Sequence, residues 1–240
     1  MQNTVLISGI TGGIGQATAM EFLKHKWKVF GTYAHAGEKV ETLKSEEPEV
    51  TFIRCDFENP VEVADTIRKG LAGATPSLLV NCAGITSDNF FANMSLSEWK
   101  RVVNVNLISS LYLTKLVLPM MEGNGSGRVI SISSISGIYG RETQSNYATT
   151  KGGLIGLTQL IEHSKNNASH IEAITIAPGM INTDITNAVS PKKMKLFLQA
   201  LINKRTGLPR EVGKLIYELS LPSLSYLNGA IVPIDGGLFK

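Results

Sequence analysis

The 240-residue chain is poor in cysteine, with only Cys55 and Cys82, and no apolar run reaches the roughly 18 residues of a membrane span. Its first residues, MQNTVLISG, lack the basic start and long apolar stretch of a secretion signal. Reduced, buried thiols are therefore favoured over a disulfide between the two cysteines, which stays open. We expect a cytoplasmic protein that does not associate with a membrane.

The chain also has no large excess of either positive or negative charge. The 23 lysines and arginines against 20 acidic residues leave a formal charge of +3, and no Lys/Arg run indicates a nucleic-acid partner. Hydrophobic residues make up 43% and charged residues 18% of the chain, which argues against a disordered protein. The length fits one large α/β domain or two small ones.

Short apolar runs rich in Val and Ile recur along the whole chain. They show no polar alternation, which indicates strands buried on both faces, at 4–8, 28–33, 50–55, 77–82, 127–133, 171–177 and 230–235. Helix-length segments lie between them, among them 14–26, 59–72, 97–122 and 146–167. This alternation predicts a single-domain, Rossmann-type doubly wound α/β fold, with about seven parallel strands and helices on both faces of the sheet.

Residues 182–207 break the alternation. They contain no predicted strand, and Lys192, Lys193 and Lys195 crowd one helix-like piece. Within one domain spanning 1–240, this stretch is either a lid over a substrate site or a solvated surface helix.

A glycine-rich turn, Gly9-Ile-Thr-Gly-Gly13-Ile-Gly15, follows the first predicted strand and opens a helix. Small residues let the backbone approach a pyrophosphate, and the helix start offers free N–H groups and a positive dipole end. The spacing G-x-x-x-G-x-G differs from the commoner G-x-G-x-x-G fingerprint. The position after the first strand predicts a dinucleotide site that includes Gly9, Thr11, Gly12, Gly13, Ile14 and Gly15.

The end of the second predicted strand bears on the choice of cofactor. An NAD site usually has an acidic residue here to hold the ribose 2′-hydroxyl. Tyr33 occupies that place, Ala34 follows it, and the next acid is Glu38. Because no carboxylate repels a 2′-phosphate, and His35 or Lys39 is near enough to approach one, the sequence favours NADP(H).

Ser134 follows the fifth predicted strand, Tyr147 comes 13 positions later and Lys151 four positions after that. At this point the chain resembles the short-chain dehydrogenase/reductase family over essentially its whole length. The stretches that carry the resemblance are Ser8 to Gly15, Asp56, Asn81 to Gly84, Asn106, Ser134, Tyr147-x-x-x-Lys151, Pro178-Gly179 with Thr183, and Asp235-Gly236-Gly237.

The resemblance implies a catalytic set of Asn106, Ser134, Tyr147 and Lys151. A free tyrosine has a pKa near 10 and is a poor acid–base catalyst at neutral pH, so a nearby ammonium is expected to lower that pKa. In the family the lysine also binds the nicotinamide ribose, the serine holds the substrate carbonyl, and the asparagine keeps a relay water. Taken separately, each residue also has a structural explanation, such as a turn serine or a core tyrosine.

The resemblance also implies further cofactor contacts, and it implies no metal. Asp56, followed by Phe57, is expected to accept from the adenine amino group, unless it only caps its strand. Asn81, Ala83 and Gly84 are expected to support the sheet and the cofactor. Pro178, Gly179, Ile181 and Thr183 are expected to border the nicotinamide.

Within the family, the chain is most similar to 3-oxoacyl-(acyl-carrier-protein) reductases and acetoacetyl-CoA reductases. The similarity lies in AGITSDNFF (83–91), the segment from Trp99 to Leu107, NYATTKGGLIGLT (146–158) and the segments 207–212 and 226–229. It implies reduction of a 3-oxoacyl thioester, carried by acyl carrier protein or CoA, in fatty acid biosynthesis. Ile135, Ile138 and Tyr139 are expected to flank the acyl group.

Two matters stay open at this level. Such reductases place docking arginines where this chain has Gly125 and Ser169, and Lys165 and Arg128 are the nearby candidates to replace them. The alternatives to a thioester reductase are a carbonyl reductase or alcohol dehydrogenase of the same family and a nucleotide sensor without chemistry. The resemblance further implies a homotetramer that uses the two long helices and the C-terminal strand.

Overall fold

The computed structural model describes residues 3–59, 62–163, 170–187 and 189–238. Its strands are β1 (Thr4–Ile7), β2 (Lys28–Tyr33), β3 (Val50–Arg54), β4 (Leu78–Asn81), β5 (Ser126–Ile132), β6 (His170–Pro178) and β7 (Ile231–Ile234). Its helices are α1 (Gly13–Lys24), α2 (Glu38–Glu46), α3 (Val63–Leu71), α4 (Leu96–Val103), α5 (Ser109–Gly123), α6 (Ile135–Tyr139), α7 (Ser145–His163), α8 (Asp184–Asn187), α9 (Pro191–Ala200) and α10 (Pro209–Leu219).

The strands of the described residues form one parallel sheet in the order β3-β2-β1-β4-β5-β6-β7. The chain runs outward from β1 through β2 to β3, then returns to the other side of β1 with β4. Ligands of such sheets bind outside the carboxyl ends of the strands, at the point where the order reverses. That point lies between β1 and β4, and the predicted Rossmann-type fold is confirmed.

Two apolar cores explain why the strands show no polar alternation. Successive side chains of a strand point to opposite faces, so Leu6 of β1 packs with α3, α5 and α7, whereas Val5 and Ile7 pack with α1 and α10. Helices thereby cover both faces of the central strands, which favours apolar side chains at successive strand positions.

The predicted helix 97–122 is continuous but irregular. Residues Asn104–Ile108 form a π-helical turn between α4 and α5. Within this turn the buried Asn106 side chain bonds the backbone of Ile85, in the loop after β4, instead of pointing to solvent. π turns are frequent at functional sites because they re-aim a side chain without ending the helix.

The helical stretch Leu96–Gly123 is long and apolar enough to cross a membrane when judged by length and composition alone. Half of its most apolar window is buried inside the protein, where Leu113, Val117 and Met121 pack against the sheet. Burial of this kind is typical of a core helix in an α/β fold.

The predicted lid, 182–207, contains α8 and α9, and its described residues include no strand beyond an isolated bridge between Ile181 and Gly207 at its base. None of the α9 side chains is buried. At the C-terminal end of the lid, the Glu211 carboxylate accepts hydrogen bonds from Arg205 and from the backbone N–H of Leu208. These bonds connect the end of the lid to the start of α10.

Candidate active site

The glycine turn is held at the junction of β1 and β4 by Ser8. Its hydroxyl oxygen accepts the backbone N–H groups of Cys82 (2.9 Å) and Ala83 (3.0 Å). Gly9 has a φ of 71° and approaches Ala83 so closely that a Cβ at Gly9 would lie 2.8 Å from the Ala83 Cα. The ends of the two central strands are therefore locked together, and the turn leaves β1 at the point where the strand order reverses.

The start of α1 offers backbone donors. Gly12 is the N-cap and provides no side-chain oxygen, and the first turn of the helix holds no acidic residue. A Cβ at Gly15 would meet the carbonyl oxygen of Gly9 and lie 2.9 Å from the Ile10 Cα, so only glycine fits there. An uncapped helix start with a positive dipole end suits an anionic group such as a pyrophosphate.

A cleft of about 560 Å³ runs from this turn across the carboxyl ends of β1, β2, β3 and β4. Its walls include most of the predicted cofactor residues: Gly9, Thr11, Gly12, Gly13, Ile14, Gly15, Tyr33, Ala34, His35, Asp56, Phe57, Ala83, Gly84 and Thr183. Six others lie outside these walls, and two of them, Tyr147 and Lys151, lie with the catalytic residues described below. Asn81 is buried and donates to Thr114 of α5, and Pro178, Gly179 and Ile181 lie at the base of the lid. Their cofactor contacts stay predictions.

One contact spans the mouth of the cleft. Lys39, near the start of α2, pairs with Asp184 of α8 at 2.7 Å (Nζ to Oδ2), although the two residues are 145 positions apart. Both residues and His35 line the cleft. The sequence named Lys39 as a partner for a 2′-phosphate but missed Asp184, because nothing in the spacing of the chain reveals that α8 folds over this edge.

Ser134 and Tyr147 come together at the end of β5. Ser134 caps α6, where its oxygen accepts the Ser136 N–H at 3.1 Å, and its side chain lies close enough to the Tyr147 phenol to lower the pKa of Tyr147. Ser134 is buried and Tyr147 is half-buried. Behind Ser134, Ile135 is buried, whereas Ile138 and Tyr139 are exposed, so of the three predicted acyl contacts these two face outward.

Lys151 lies one helical turn after Tyr147 on α7. Its Nζ donates to the Ile132 carbonyl at 2.7 Å and lies 5.6 Å from the centre of the Tyr147 ring. A Cβ built at Gly84 would lie 3.2 Å from this Nζ and 3.6 Å from the Asn106 Oδ1. Gly84 also lines the cleft. The four predicted catalytic residues thus lie together at one end of the cofactor cleft. Gly84 lies where the catalytic residues and the cleft meet.

The loop after β4 is fixed over this site by residues that the sequence did not single out. Gln144 donates to both carboxylate oxygens of Asp88, at 3.1 and 2.9 Å, and Asn146 donates to the Ser87 carbonyl at 3.0 Å. Both donors are buried just before Tyr147. Two amide residues close before a candidate catalytic tyrosine were the available sequence signal, and their burial in the structure explains why they need partners.

Burial dominates the electrostatics of the site. It raises the pKa of Tyr147 to about 12, against lowering contributions from the Ser134 hydrogen bond and the Arg141 charge. Burial also lowers the pKa of Lys151 to about 8. The pKa of Tyr147 therefore shifts in the direction opposite to the lowering expected from Lys151, because loss of solvation outweighs the lowering contributions of Ser134 and Arg141. A phenol with a raised pKa stays protonated at neutral pH, so the proton is present for transfer, although the same shift makes the phenol a weaker acid.

The lowered pKa of Lys151 predicts a pH-dependent stability. Between pH 8 and 10.5, the unfolded chain binds a proton at this lysine that the folded chain has released, so folding becomes more favourable as pH rises. Relative to Lys151→Met, the wild type is expected to gain up to about 3 kcal/mol across this window. Urea unfolding at fixed protein concentration, at pH 7.5 and 9.5, measures the difference, and a difference that is constant with pH contradicts the assignment.

Arg128 does not replace a docking arginine. It is 6% exposed, pairs with Glu172 and donates to the carbonyls of Leu219 and Leu221. The hypothesis that it presents a charge to a carrier is wrong, because all of its donor directions point inward. Gly125, one of the two positions where such reductases have a docking arginine, is uncharged. The other position, Ser169, and the candidate replacement Lys165 lie outside the described residues.

Comparison with known proteins gives a consistent result. A family model for short chain dehydrogenases matches residues 3–194. A 3-oxoacyl-(acyl-carrier-protein) reductase FabG of Pseudomonas aeruginosa is 36% identical over 240 residues, covering 98% of this chain and 96% of the relative. The reductase MabA of Mycobacterium bovis is 32% identical, with 99% and 93% covered. A FabG reductase of Aquifex aeolicus is 34% identical, with 99% and 88% covered.

Proposed function

The chain belongs to the short chain dehydrogenase family, and on that premise we propose that it reduces 3-oxoacyl thioesters with NADPH, with Tyr147 as proton donor. The product is the corresponding 3-hydroxyacyl thioester. The observation that carries this proposal is the placement of the Lys151 Nζ 5.6 Å from the centre of the Tyr147 ring, next to Gly84, which lines the cofactor cleft. The names of the similar proteins support the choice of substrate.

The residues of the cleft fit a nicotinamide dinucleotide. The uncapped start of α1 suits the pyrophosphate, and Asp56 and Phe57 lie in the same cleft at the end of β3, where an adenine would be held. When bound in its reduced form, the cofactor supplies a hydride to the substrate carbonyl carbon.

The chain's own residues supply the proton and the polarisation. Ser134 donates a hydrogen bond to the carbonyl oxygen, which stabilises negative charge as it develops there. Tyr147 transfers its phenolic proton to that oxygen, and the hydroxyl product forms. Lys151 lies near enough to stabilise the phenolate left behind. Asn106 anchors Ile85 with both its amide atoms and so fixes the loop beside Lys151.

The preference for NADPH rests on the end of β2 and on Lys39. The cleft has a tyrosine, Tyr33, where an NAD site usually has an acid, and Lys39 and His35 lie on the same wall. Lys39 is charge-paired with Asp184. A 2′-phosphate therefore competes with Asp184 for Lys39, and Asp184 weakens the preference that Lys39 creates.

We expect Lys39→Met to weaken NADPH binding about tenfold and leave NADH binding within about twofold. Asp184→Asn should tighten NADPH binding about threefold, because Lys39 is then free and a negative charge is gone. Titration of the fluorescence of each reduced nucleotide at fixed ionic strength gives the Kd values. Lys69→Met, which removes an exposed lysine from α3, serves as the control. Equal losses for both nucleotides in Lys39→Met would contradict the assignment.

A substrate panel tests the proposed function. Acetoacetyl groups on CoA and on acyl carrier protein, together with ketones that are not thioesters, are offered with NADPH and with NADH. We expect the highest kcat/KM for a thioester with NADPH. Turnover confined to other ketones would assign a carbonyl reductase or alcohol dehydrogenase of the same family. Tight NADPH binding without turnover of any ketone would assign a nucleotide sensor.

We further propose a single-domain, cytoplasmic protein that assembles as a homotetramer. Apolar side chains exposed on the elements that the resemblance implicates support the assembly: Leu111 and Tyr112 on α5, Leu160 on α7, Tyr226 before β7 and Ile231 within it. Surfaces of this kind are commonly covered by a neighbouring copy.

A further inference from the structure

A basic surface on the lid takes no part in the chemistry above. The stretch 185–210 holds six of the chain's 23 basic residues and none of its 20 acidic ones, so its charge exceeds the net charge of the whole chain. Arg205 pairs with Glu211, and Lys204 donates to the Gln199 carbonyl. The remaining lysines on α9 are exposed and form no ion pair within the described residues. We call Lys192, Lys193 and Lys195 the basic lid surface.

The position of these lysines is unfavourable for the helix dipole of α9. Ser190 caps α9 and Pro191 is its first residue, so Lys192 and Lys193 lie in the first turn, next to the positive end of the helix dipole. Acidic residues stabilise a first turn and basic residues destabilise it. Folding therefore gives no reason for these charges, and local violations of this kind are expected where a surface serves a partner.

An apolar groove of about 480 Å³ runs beside the lysines. It is lined by Pro191, Met194, Lys195, Leu198, Gln199 and Lys204. On the same helix Leu196 is 60% exposed. A surface that combines unpaired positive charge with exposed apolar side chains fits a protein whose contact surface is both acidic and apolar. A nucleotide phosphate would use the lysines and leave the groove uncovered.

The base of the lid lies at the site. Ile181 bridges Gly207, Thr183 lies against the glycine turn and Asp184 pairs with Lys39 at the mouth of the cleft. A protein seated on α9 therefore contacts the lid, whose first residues, Thr183 and Asp184, line the cofactor cleft. Among the described residues at the start of β5, Arg128 is buried in an ion pair and Gly125 is uncharged.

We propose that the basic lid surface docks an acidic acyl-carrier protein that presents the 3-oxoacyl thioester. This inference rests on the proposed function, because it takes the thioester as the substrate. Attraction between the lysines and carboxylates on the carrier sets the encounter rate, and the groove of Met194 and Leu198 receives an apolar side chain.

The test compares one acyl group on three supports: acetoacetyl on purified acyl-carrier protein, on CoA and on a short pantetheine thiol. In Lys192→Gln/Lys193→Gln/Lys195→Gln, we expect KM for the carrier-bound substrate to rise about tenfold, with kcat unchanged. KM for the pantetheine thioester stays within about twofold. Raising the salt concentration weakens carrier use by the wild type and has little effect on the variant. Glutamine is a good helix former, so α9 is retained.

The matched control, Lys69→Gln/Lys100→Gln/Lys214→Gln, removes the same charge from exposed positions on other helices and should leave every KM unchanged. Three results overturn the docking site: an unchanged carrier KM, equal rises for carrier and CoA, or equal loss in both triple variants. A fourth result also overturns the docking site. If the wild type binds anionic vesicles, the lid variant does not, and the carrier KM is the same in both, the surface binds lipid instead. Failure of the proposed function is distinct, because the wild type would then reduce none of the three thioesters.

Discussion

Replacing Tyr147 with phenylalanine is expected to lower kcat for thioester reduction by roughly a thousandfold, the range that a positioned general acid contributes. The substitution removes only the phenolic hydroxyl, and burial that raises the pKa of Tyr147 to about 12 keeps this proton in place at neutral pH. NADPH affinity should stay within about twofold, since the fold of the cleft does not depend on this oxygen.

The measurement is steady-state NADPH consumption with acetoacetyl-CoA, combined with nucleotide binding by fluorescence. Tyr217→Phe is the matched control. This residue lies on α10, where its ring stacks on His25 with 3.8 Å between ring centres, so the substitution deletes a hydroxyl far from the cleft. Turnover of Tyr147→Phe at a rate near that of the wild type would rule out the proposed mechanism.

Gly15→Ala is expected to weaken NADPH binding about a hundredfold, equivalent to an overpacking cost of about 3 kcal/mol. The added Cβ meets backbone atoms of Gly9 and Ile10, which cannot rotate away, so the whole turn has to move. Gly13→Ala should lose less, because its Cβ lies 3.0 Å from the Thr183 side chain, which has room to adjust.

Gly123→Ala completes the series as the control, since its Cβ would meet nothing within 4 Å. Thermal unfolding of each variant separates loss of the fold from loss of the site. If Gly15→Ala does not fold, Gly13→Ala still tests the argument through its intermediate affinity. An affinity of Gly13→Ala or of a folded Gly15→Ala equal to that of Gly123→Ala would show that the turn does not hold the cofactor.

The sequence alone determined the architecture, because each signal is local. A run such as Val5, Leu6 and Ile7 is apolar at every position only if both faces of its strand are covered, and a glycine turn after the first strand can lie only at the carboxyl edge of a parallel sheet. The spacing Tyr147-x-x-x-Lys151 places two side chains on one face of a helix, because helical geometry alone brings positions four apart together.

Tertiary structure decided whatever depends on burial or on contacts between distant residues. The pairing of Lys39 with Asp184 joins positions 145 apart, and the burial of Arg128 against Glu172 turned an expected docking charge into a structural one. The direction in which the pKa of Tyr147 shifts also depends on burial. Proximity of Lys151 along the helix predicted a lower value, but desolvation depends on the surrounding fold, and it raises the value.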